Sequence, residues 1–227
     1  GVNISMPYKQ KVIPYMDELT DSAQLIGAVN TVIHRDGKLI GHNTDGIGFF
    51  RSLATFADFD VKDKTMTILG GGGAATALIA QAALNGARHI NIFNQTAFLE
   101  ATRQKAQELA DKTGVSIDVY PVEDVSLIQE KVLASQLFVN ATSVGMDGIS
   151  MLIAEDFTFP EGILVADTIY QPFETPFLAL ARRQGLTALN GLGMLLFQAA
   201  EAFECWTRET MPTAEIWSAL EEKYNTK

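Results

Sequence analysis

From Lys64 onward the apolar positions fall into a regular alternation of short continuous runs and longer amphipathic stretches. Thr65–Leu69, Ile90–Phe93, Ser116–Tyr120, Leu137–Asn140, Leu164–Asp167 and Thr187–Leu189 have the length and residue types of strands. Helical periodicity fills most of the gaps, at about 74–85, 97–112, 124–134 and 175–184. A βαβ series of this kind predicts an α/β fold with a Rossmann-type, doubly wound parallel sheet. Before Lys64 the pattern is different. Gly1–Ser5 reads as a strand, residues 8–19 as a helix with Pro7 at its first position, and 46–56 as a short helix. Between them, Ala28–His34 and Leu39–Asn43 form the arms of a hairpin turned at Arg35-Asp36-Gly37-Lys38. After Gly193, helices at about 194–208 and 213–224 close the chain. Two lobes are therefore expected, with the last helices returning to the first lobe.

Composition narrows the class of partner. Apolar residues make up 47% and charged residues 19% of 227, the balance of a globular protein rather than a disordered one. No apolar run approaches the roughly 20 residues that span a bilayer. With 17 Lys+Arg against 27 Asp+Glu, the net charge of −10 has the wrong sign for nucleic-acid binding by phosphate neutralisation. Cys205 stands alone, and His34, His42 and His89 have no Cys or His neighbours in sequence. These features predict a cytoplasmic, metal-free protein with a small-molecule partner and neither a membrane nor a nucleic acid to bind. Monomer and homodimer are equally compatible with them.

The strand Thr65–Leu69 runs into Gly70-Gly71-Gly72-Gly73-Ala74 and then a helix, which is G-x-G-x-x-A in strand–turn–helix context. A dinucleotide needs that arrangement because the turn is tight, the backbone must approach the pyrophosphate, and helix N-terminal amides must face the anion. A glycine-rich turn without a ligand is the alternative. At the end of the next strand, where an acidic residue would read the ribose of NAD or an Arg the 2′-phosphate of NADP, stands Phe93-Asn94-Gln95-Thr96. Neither signature is present. Without a guanidinium the expectation leans towards NAD, with Arg103 on the following helix the nearby cation able to reverse it.

Two polar groups in the first lobe suggest acid–base chemistry. Pro7 at a helix start would place Lys9 in the first turn, where the helix dipole opposes its charge by about 0.3–1 kcal/mol. A two-residue turn at Asp36-Gly37 pairs positions whose numbers sum to 73, so Asn30 faces Asn43, and Asp45 lies two residues on, on the same face. Read blandly, Lys9 is a surface lysine, Asp45 a helix N-cap, Asn30 a strand-end amide and Gln198 an amide bordering the apolar face of its helix.

Seven stretches together resemble the shikimate dehydrogenase family: Asn3-Ile-Ser-Met-Pro-Tyr-Lys9, Gly27-Ala-Val-Asn-Thr31, Gly41-His-Asn-Thr-Asp-Gly46, the Gly70–Ala74 loop, Asn140-Ala-Thr-Ser-Val-Gly-Met146, Asp167-Thr-Ile-Tyr-Gln-Pro172 and Gly191-Leu-Gly-Met-Leu-Leu-Phe-Gln198. They occur in the family's order over nearly the whole chain. The resemblance implies a substrate lobe at 1–45 and 191–227 and a nucleotide lobe at 46–190, facing each other across a cleft. It implies an NAD(P)-dependent interconversion of 3-dehydroshikimate and shikimate, on the chorismate route to aromatic amino acids. Lys9 and Asp45 would be the catalytic pair, and Ser5, Asn30, Tyr170 and Gln198 would bind substrate. Gly70, Gly71, Gly72, Gly73, Ala74, Asn94, Thr96, Thr168 and Gly191 would hold the cofactor. A dehydrogenase of another cyclic hydroxy acid and a non-catalytic nucleotide or metabolite binder are the alternatives.

The chain departs from the family pattern in three places. Gln95 replaces the Arg usual in NADP-specific members, Ser5 replaces the commoner Thr and resembles members that also accept quinate, and an N-terminal Ser-x-Ser motif is not present. Against the family, about 60 residues would precede Gly1, so an unpaired sheet edge, exposed apolar surface, weak substrate binding and poor stability are expected of the chain by itself.

Overall fold

The computed structural model describes residues 1–224; Asn225–Lys227, the end of the expected substrate lobe, lie outside the described residues. The chain opens with β1 (Val2–Asn3), β2 (Glu18–Leu19), α1 (Asp21–Ile26), β3 (Thr31–Arg35), β4 (Lys38–His42) and α2 (Asp45–Ala57). These four strands form one sheet in the order β1-β3-β4-β2. The hairpin has the expected register: Thr31 faces His42, Ile33 faces Ile40 and Arg35 faces Lys38. Asp36 (φ 52°) and Gly37 (φ 79°) take the left-handed conformations that a tight turn between twisted strands demands.

The expected helix over 8–19 does not form. A single 3₁₀ turn at Ile13–Tyr15 and a run of turns replace it. Pro14 has no N–H to give to a helical ladder, and the backbone that follows is claimed by β4: Asp17 N donates to Leu39 O (2.8 Å) and Thr20 N to Gly41 O (2.9 Å). Pro7 is accordingly not a helix N1 residue, and no helix dipole acts on Lys9. Gly1–Ser5 likewise yields only the two-residue β1.

The second sheet is built from β5 (Thr65–Leu69), β6 (His89–Asn94), β7 (Ser116–Pro121), β8 (Leu137–Asn140), β9 (Leu164–Asp167) and β10 (Ala188–Leu189), in the order β10-β9-β8-β5-β6-β7. Every pairing in it is parallel. The connections are α3 (Gly73–Leu84), α4 (Leu99–Thr113), α5 (Val125–Leu133) and α6 (Pro176–Arg183), and α7 (Leu192–Thr207) and α8 (Thr213–Tyr224) end the chain. β5 is buried along its whole length, as a central strand covered on both faces must be. Beneath it α3 buries five alanines with Leu78 and Ile79, small side chains that let the helix lie close to the sheet.

The order of strands places a switch point at β5, from which the chain proceeds to β6 and β7 on one side and to β8, β9 and β10 on the other. In such sheets the crevice beyond the carboxyl ends of the strands at that point is the natural ligand site. The two sheets are linked through α2 and α7, which cross at glycines: a Cβ on Gly48 would lie 2.4 Å from Gln198 N, and one on Gly193 would lie 2.1 Å from Ser52 Oγ. Only Gly permits that approach, and it fixes Gln198 against the helix that begins with Asp45. Among the described residues no helix is long and apolar enough to cross a membrane.

Candidate active site

Asp45 is the first residue of α2, not its N-cap; Thr44 holds the cap position. Asn43 Oδ1 accepts from Asp45 N (3.1 Å) while Asn43 Nδ2 donates to Ala28 O (3.0 Å), so the turn out of β4 is tied back to the segment that leads into β3. Asn30 extends this network. Its Nδ2 donates to Asp45 Oδ1 (2.9 Å) and Thr44 Oγ1 (3.0 Å), and its Oδ1 accepts from Thr44 N (3.0 Å) and Thr31 Oγ1 (2.9 Å). Every capacity of this buried amide is used inside the protein, and one of its donors is spent on Asp45, so the carboxylate is held in one orientation.

Lys9 completes the group. Its Nζ donates to Asp45 Oδ2 at 2.6 Å, with the lysine side chain 27% and the aspartate side chain 14% exposed. The lysine is brought there by its backbone, whose carbonyl accepts from Val29 N (2.8 Å), one residue before Asn30. The pair is shielded yet open on one side, the condition for exchanging a proton with a bound ligand.

A cavity of about 790 Å³ opens over this pair. Ser5, Lys9, Asn30, Asp45 and Gln198 line it together with Thr168, Tyr170 and Gly191, and Ile4, Met6, Met194 and Leu195 are its apolar lining. Gln198 Nε2 donates to Leu195 O (3.2 Å). Gly191 abuts the strand end, its N donating to Ile169 O (2.8 Å), and a Cβ there would lie 2.1 Å from Thr168 O. Ile4, Met6, Met194 and Leu195 are lining residues that motif reading did not single out; their signal is apolarity, which core residues share. A second cavity, of about 860 Å³, is lined by Asp147, Gln171–Glu174, Arg182, Lys223 and Tyr224, with the Arg182–Glu174 ion pair in its wall.

The remaining predicted residues lie at the carboxyl ends of β5 and β6. Gly70 has φ +112°, closed to most side chains, and a Cβ on Gly71 would lie 2.3 Å from Asn94 Nδ2. At Gly72 and Gly73 nothing comes within 4 Å. The loop is thus packed against the protein on one side and bare on the other, in front of the N-terminus of α3, which fits a pyrophosphate. Gly70–Ala74 and Asn94 are therefore contiguous, with Thr96 two residues beyond β6. Arg103 lies exposed on α4 and makes no ion pair among the described residues.

Beneath Thr168 and Tyr170 sits a group that sequence reading missed. Asp167 is fully buried and its carboxylate accepts from Asn140 Nδ2 (3.1 and 3.2 Å), Thr175 Oγ1 (2.8 Å) and Ile169 N (2.9 Å). Burial pushes this carboxyl up to about 6, against the pull of those donors. It ties the ends of β8 and β9 together directly under the cleft.

The histidines also differ from expectation. His42, Glu201 and Cys205 offer ligand atoms within 4.8 Å of one another, brought together by β4 and α7 although they are far apart in sequence. Glu201 is already paired with Arg51 (3.2 Å) and His42 Nδ1 lies 2.9 Å from Thr20 Oγ1, and burial lowers the His42 pKa.

Comparison with known proteins gives concordant matches. Residues 1–32 match the family model described as the shikimate dehydrogenase substrate binding domain, and residues 191–221 that of the shikimate 5'-dehydrogenase C-terminal domain. The chain is 70% identical over all 227 residues, and over 78% of the relative's length, to a protein of Streptococcus mutans serotype c named shikimate dehydrogenase (NADP(+)). It is similar to the crystal structure of shikimate 5-dehydrogenase from Listeria monocytogenes in complex with shikimate and NAD, with TM-score 0.91 and 43% identity over 96% of this chain and 76% of that one. It is also similar to quinate dehydrogenase from Corynebacterium glutamicum in complex with NAD, with TM-score 0.84 and 27% identity over 99% and 77% of the two chains.

Proposed function

The chain belongs to the shikimate dehydrogenase family, and from this we infer that it interconverts 3-dehydroshikimate and shikimate, with Lys9 and Asp45 handling the proton of the reacting hydroxyl. The observation that carries the assignment of roles is the Lys9–Asp45 contact of 2.6 Å, oriented by Asn30, in a cavity also lined by Thr168, Tyr170 and Gly191. Oxidising a secondary alcohol removes a hydride from carbon and a proton from oxygen. The nicotinamide ring, when bound, supplies the hydride acceptor or donor. The chain's own residues do the rest: Lys9 takes the hydroxyl proton or returns it to the carbonyl oxygen, and Asp45 keeps the ammonium group in place and offsets its charge. Ser5, Asn30, Gln198 and Tyr170 are proposed to fix the ring hydroxyls and carboxylate, so that the reacting carbon is presented in one orientation. Gly70–Ala74, Asn94, Thr96, Thr168 and Gly191 are proposed to hold the dinucleotide, and 1–45 with 191–227 to act as the substrate lobe against a nucleotide lobe at 46–190.

We propose NADP as the working cofactor, because the Streptococcus mutans relative carries it in its name; the expectation of NAD drawn from Gln95 is not supported by that relative. Quinate is a second proposed substrate, favoured by Ser5 and by the likeness to a quinate dehydrogenase. The test is formation of reduced cofactor by the purified chain with shikimate or quinate and with NADP or NAD. Turnover of shikimate that falls away in Lys9→Ala supports the reading. Tight ligand binding without turnover would instead identify a binding protein.

A further inference from the structure

The strand β6 is followed by Gln95 and Thr96, and the loop after β7 reaches across to them. Val122 N donates to Asn94 O (2.9 Å), which brings the next residue, Glu123, beside Thr96. Its carboxylate accepts both donors Thr96 has to give: the backbone N–H at 3.2 Å on one oxygen and the hydroxyl at 2.9 Å on the other. Asn94, two residues before Thr96, packs its amide where a side chain on Gly71 would have to stand. The path from the glycine loop through Asn94 to Thr96 is thus continuous, and the ribose of a dinucleotide is read at the end of the second strand of the sheet, which here is β6. A 2′-phosphate placed there needs N–H and O–H donors or a guanidinium. This chain has Gln95 where a guanidinium would stand, and the donors of Thr96 already face an anion.

We propose that Glu123 is a specificity-determining residue for the cofactor: its carboxylate occupies the Thr96 donors as an internal substitute for the 2′-phosphate, so that a 2′-phosphorylated nucleotide must displace it whereas one with a free 2′-hydroxyl need not. The two oxygens of the carboxylate match two divergent donors as two phosphate oxygens would. Glu123 is ionised at working pH, since its own backbone N–H, then the N–H and hydroxyl of Thr96, hold its pKa below the usual value. A phosphate entering beside it would meet like charge as well as satisfied donors, and Asp124 follows it immediately. When the carboxylate swings out, the same two donors become available. Glu123 therefore sets how strongly the 2′-phosphate is felt, whichever of the two cofactors the chain prefers.

The proposal rests on the dinucleotide reading of the glycine loop, and fragments of the cofactor separate the two. Binding of adenosine 2′,5′-bisphosphate and of 5′-AMP is measured by calorimetry for the whole chain, for Glu123→Gln and for Glu123→Gln combined with Thr96→Val. Glu123→Gln is expected to strengthen binding of the bisphosphate at least tenfold and to change that of 5′-AMP less than twofold, and adding Thr96→Val is expected to reverse most of the gain. An unchanged ratio of the two affinities in Glu123→Gln overturns the proposal and leaves the dinucleotide reading intact. Failure of every form to bind either nucleotide overturns both. Circular dichroism of each variant, expected to match the parent chain because Glu123 is exposed, separates loss of fold from loss of binding.

Discussion

Asp45 offers one carboxylate oxygen to Lys9 Nζ at 2.6 Å and the other to Asn30 Nδ2 at 2.9 Å, so the two partners grip the same group from opposite sides. Neither oxygen is left to rotate. A lysine held in this way points its remaining protons at the cavity, and its position is set by a residue that is itself set by a strand register. If Lys9 and Asp45 work as one unit, Lys9→Met and Asp45→Asn should each lower kcat for shikimate by about 10²–10⁴, the usual range for a positioned acid or base. The double variant should lose little more than the worse single one, since groups acting together are not additive. Steady-state kinetics of the three variants check this. Losses that multiply would show the two side chains acting separately.

Asn30 carries a different expectation. Replacing it with Ala leaves Thr44 N and the Thr31 hydroxyl, both buried, without their acceptor and frees Asp45 to turn. About 1–3 kcal/mol of stability should be lost for the unsatisfied groups. Denaturant titration measures that loss. The same variant should show a lower kcat, and Asn30→Asp, which keeps an acceptor but sets a second carboxylate where the donor lay 2.9 Å from Asp45, should lose stability as well as turnover, because the two like charges cannot both stay ionised there.

The closeness of Asn30 and Asp45 was readable from the chain because Asp36-Gly37 permits only a tight turn, and a tight turn fixes the register of everything before and after it. The glycine loop was readable for the same kind of reason: its chemistry is local. Residues 8–19 were misleading because Val12, Ile13, Met16 and Leu19 are spaced as on a helix face, yet they pack from turns, a 3₁₀ turn and β2 against Ala23, Val29 and Val32. The deciding hydrogen bonds there run to β4, some 20 residues away, and no local pattern announces them. Glu123 and Asp167 were missed on the same grounds. Each matters through partners contributed by other elements, Thr96 for one and Asn140 for the other.

Gly48 tests whether the crossing of α2 and α7 sets the site. A methyl group at this position must move the backbone of Gln198, which a flexible side chain could not absorb on its behalf. Gly48→Ala should therefore cost about 1–3 kcal/mol, the usual penalty for overpacking. It should also raise KM for shikimate more than it lowers kcat, because Gln198 shifts while Lys9 and Asp45 stay bonded to each other. A variant that is destabilised with unchanged KM would show that Gln198 does not hold substrate.

Asp167 makes a prediction about pH. An unfolded aspartate titrates at about 3.9, and burial raises the native carboxyl to about 6, so between these values the native state binds more protons than the unfolded one. The contribution of this group to stability is thus fully present below about pH 4 and is lost as the pH rises through 6, opposite to an aspartate held by a cation. With a shift near two units, the swing is about 3 kcal/mol at most. Asp167→Asn has no such titration. The difference in unfolding free energy between the parent chain and this variant should therefore favour the parent more at pH 4.5 than at pH 7.5, while the other carboxylates, common to both proteins, cancel. Chemical denaturation across that range measures it. A difference that stays flat would mean the donors from Asn140, Thr175 and Ile169 outweigh burial and keep the carboxylate ionised. In that case the loop bearing Thr168 and Tyr170 is anchored by a permanent buried anion rather than by a group that takes up a proton near pH 6.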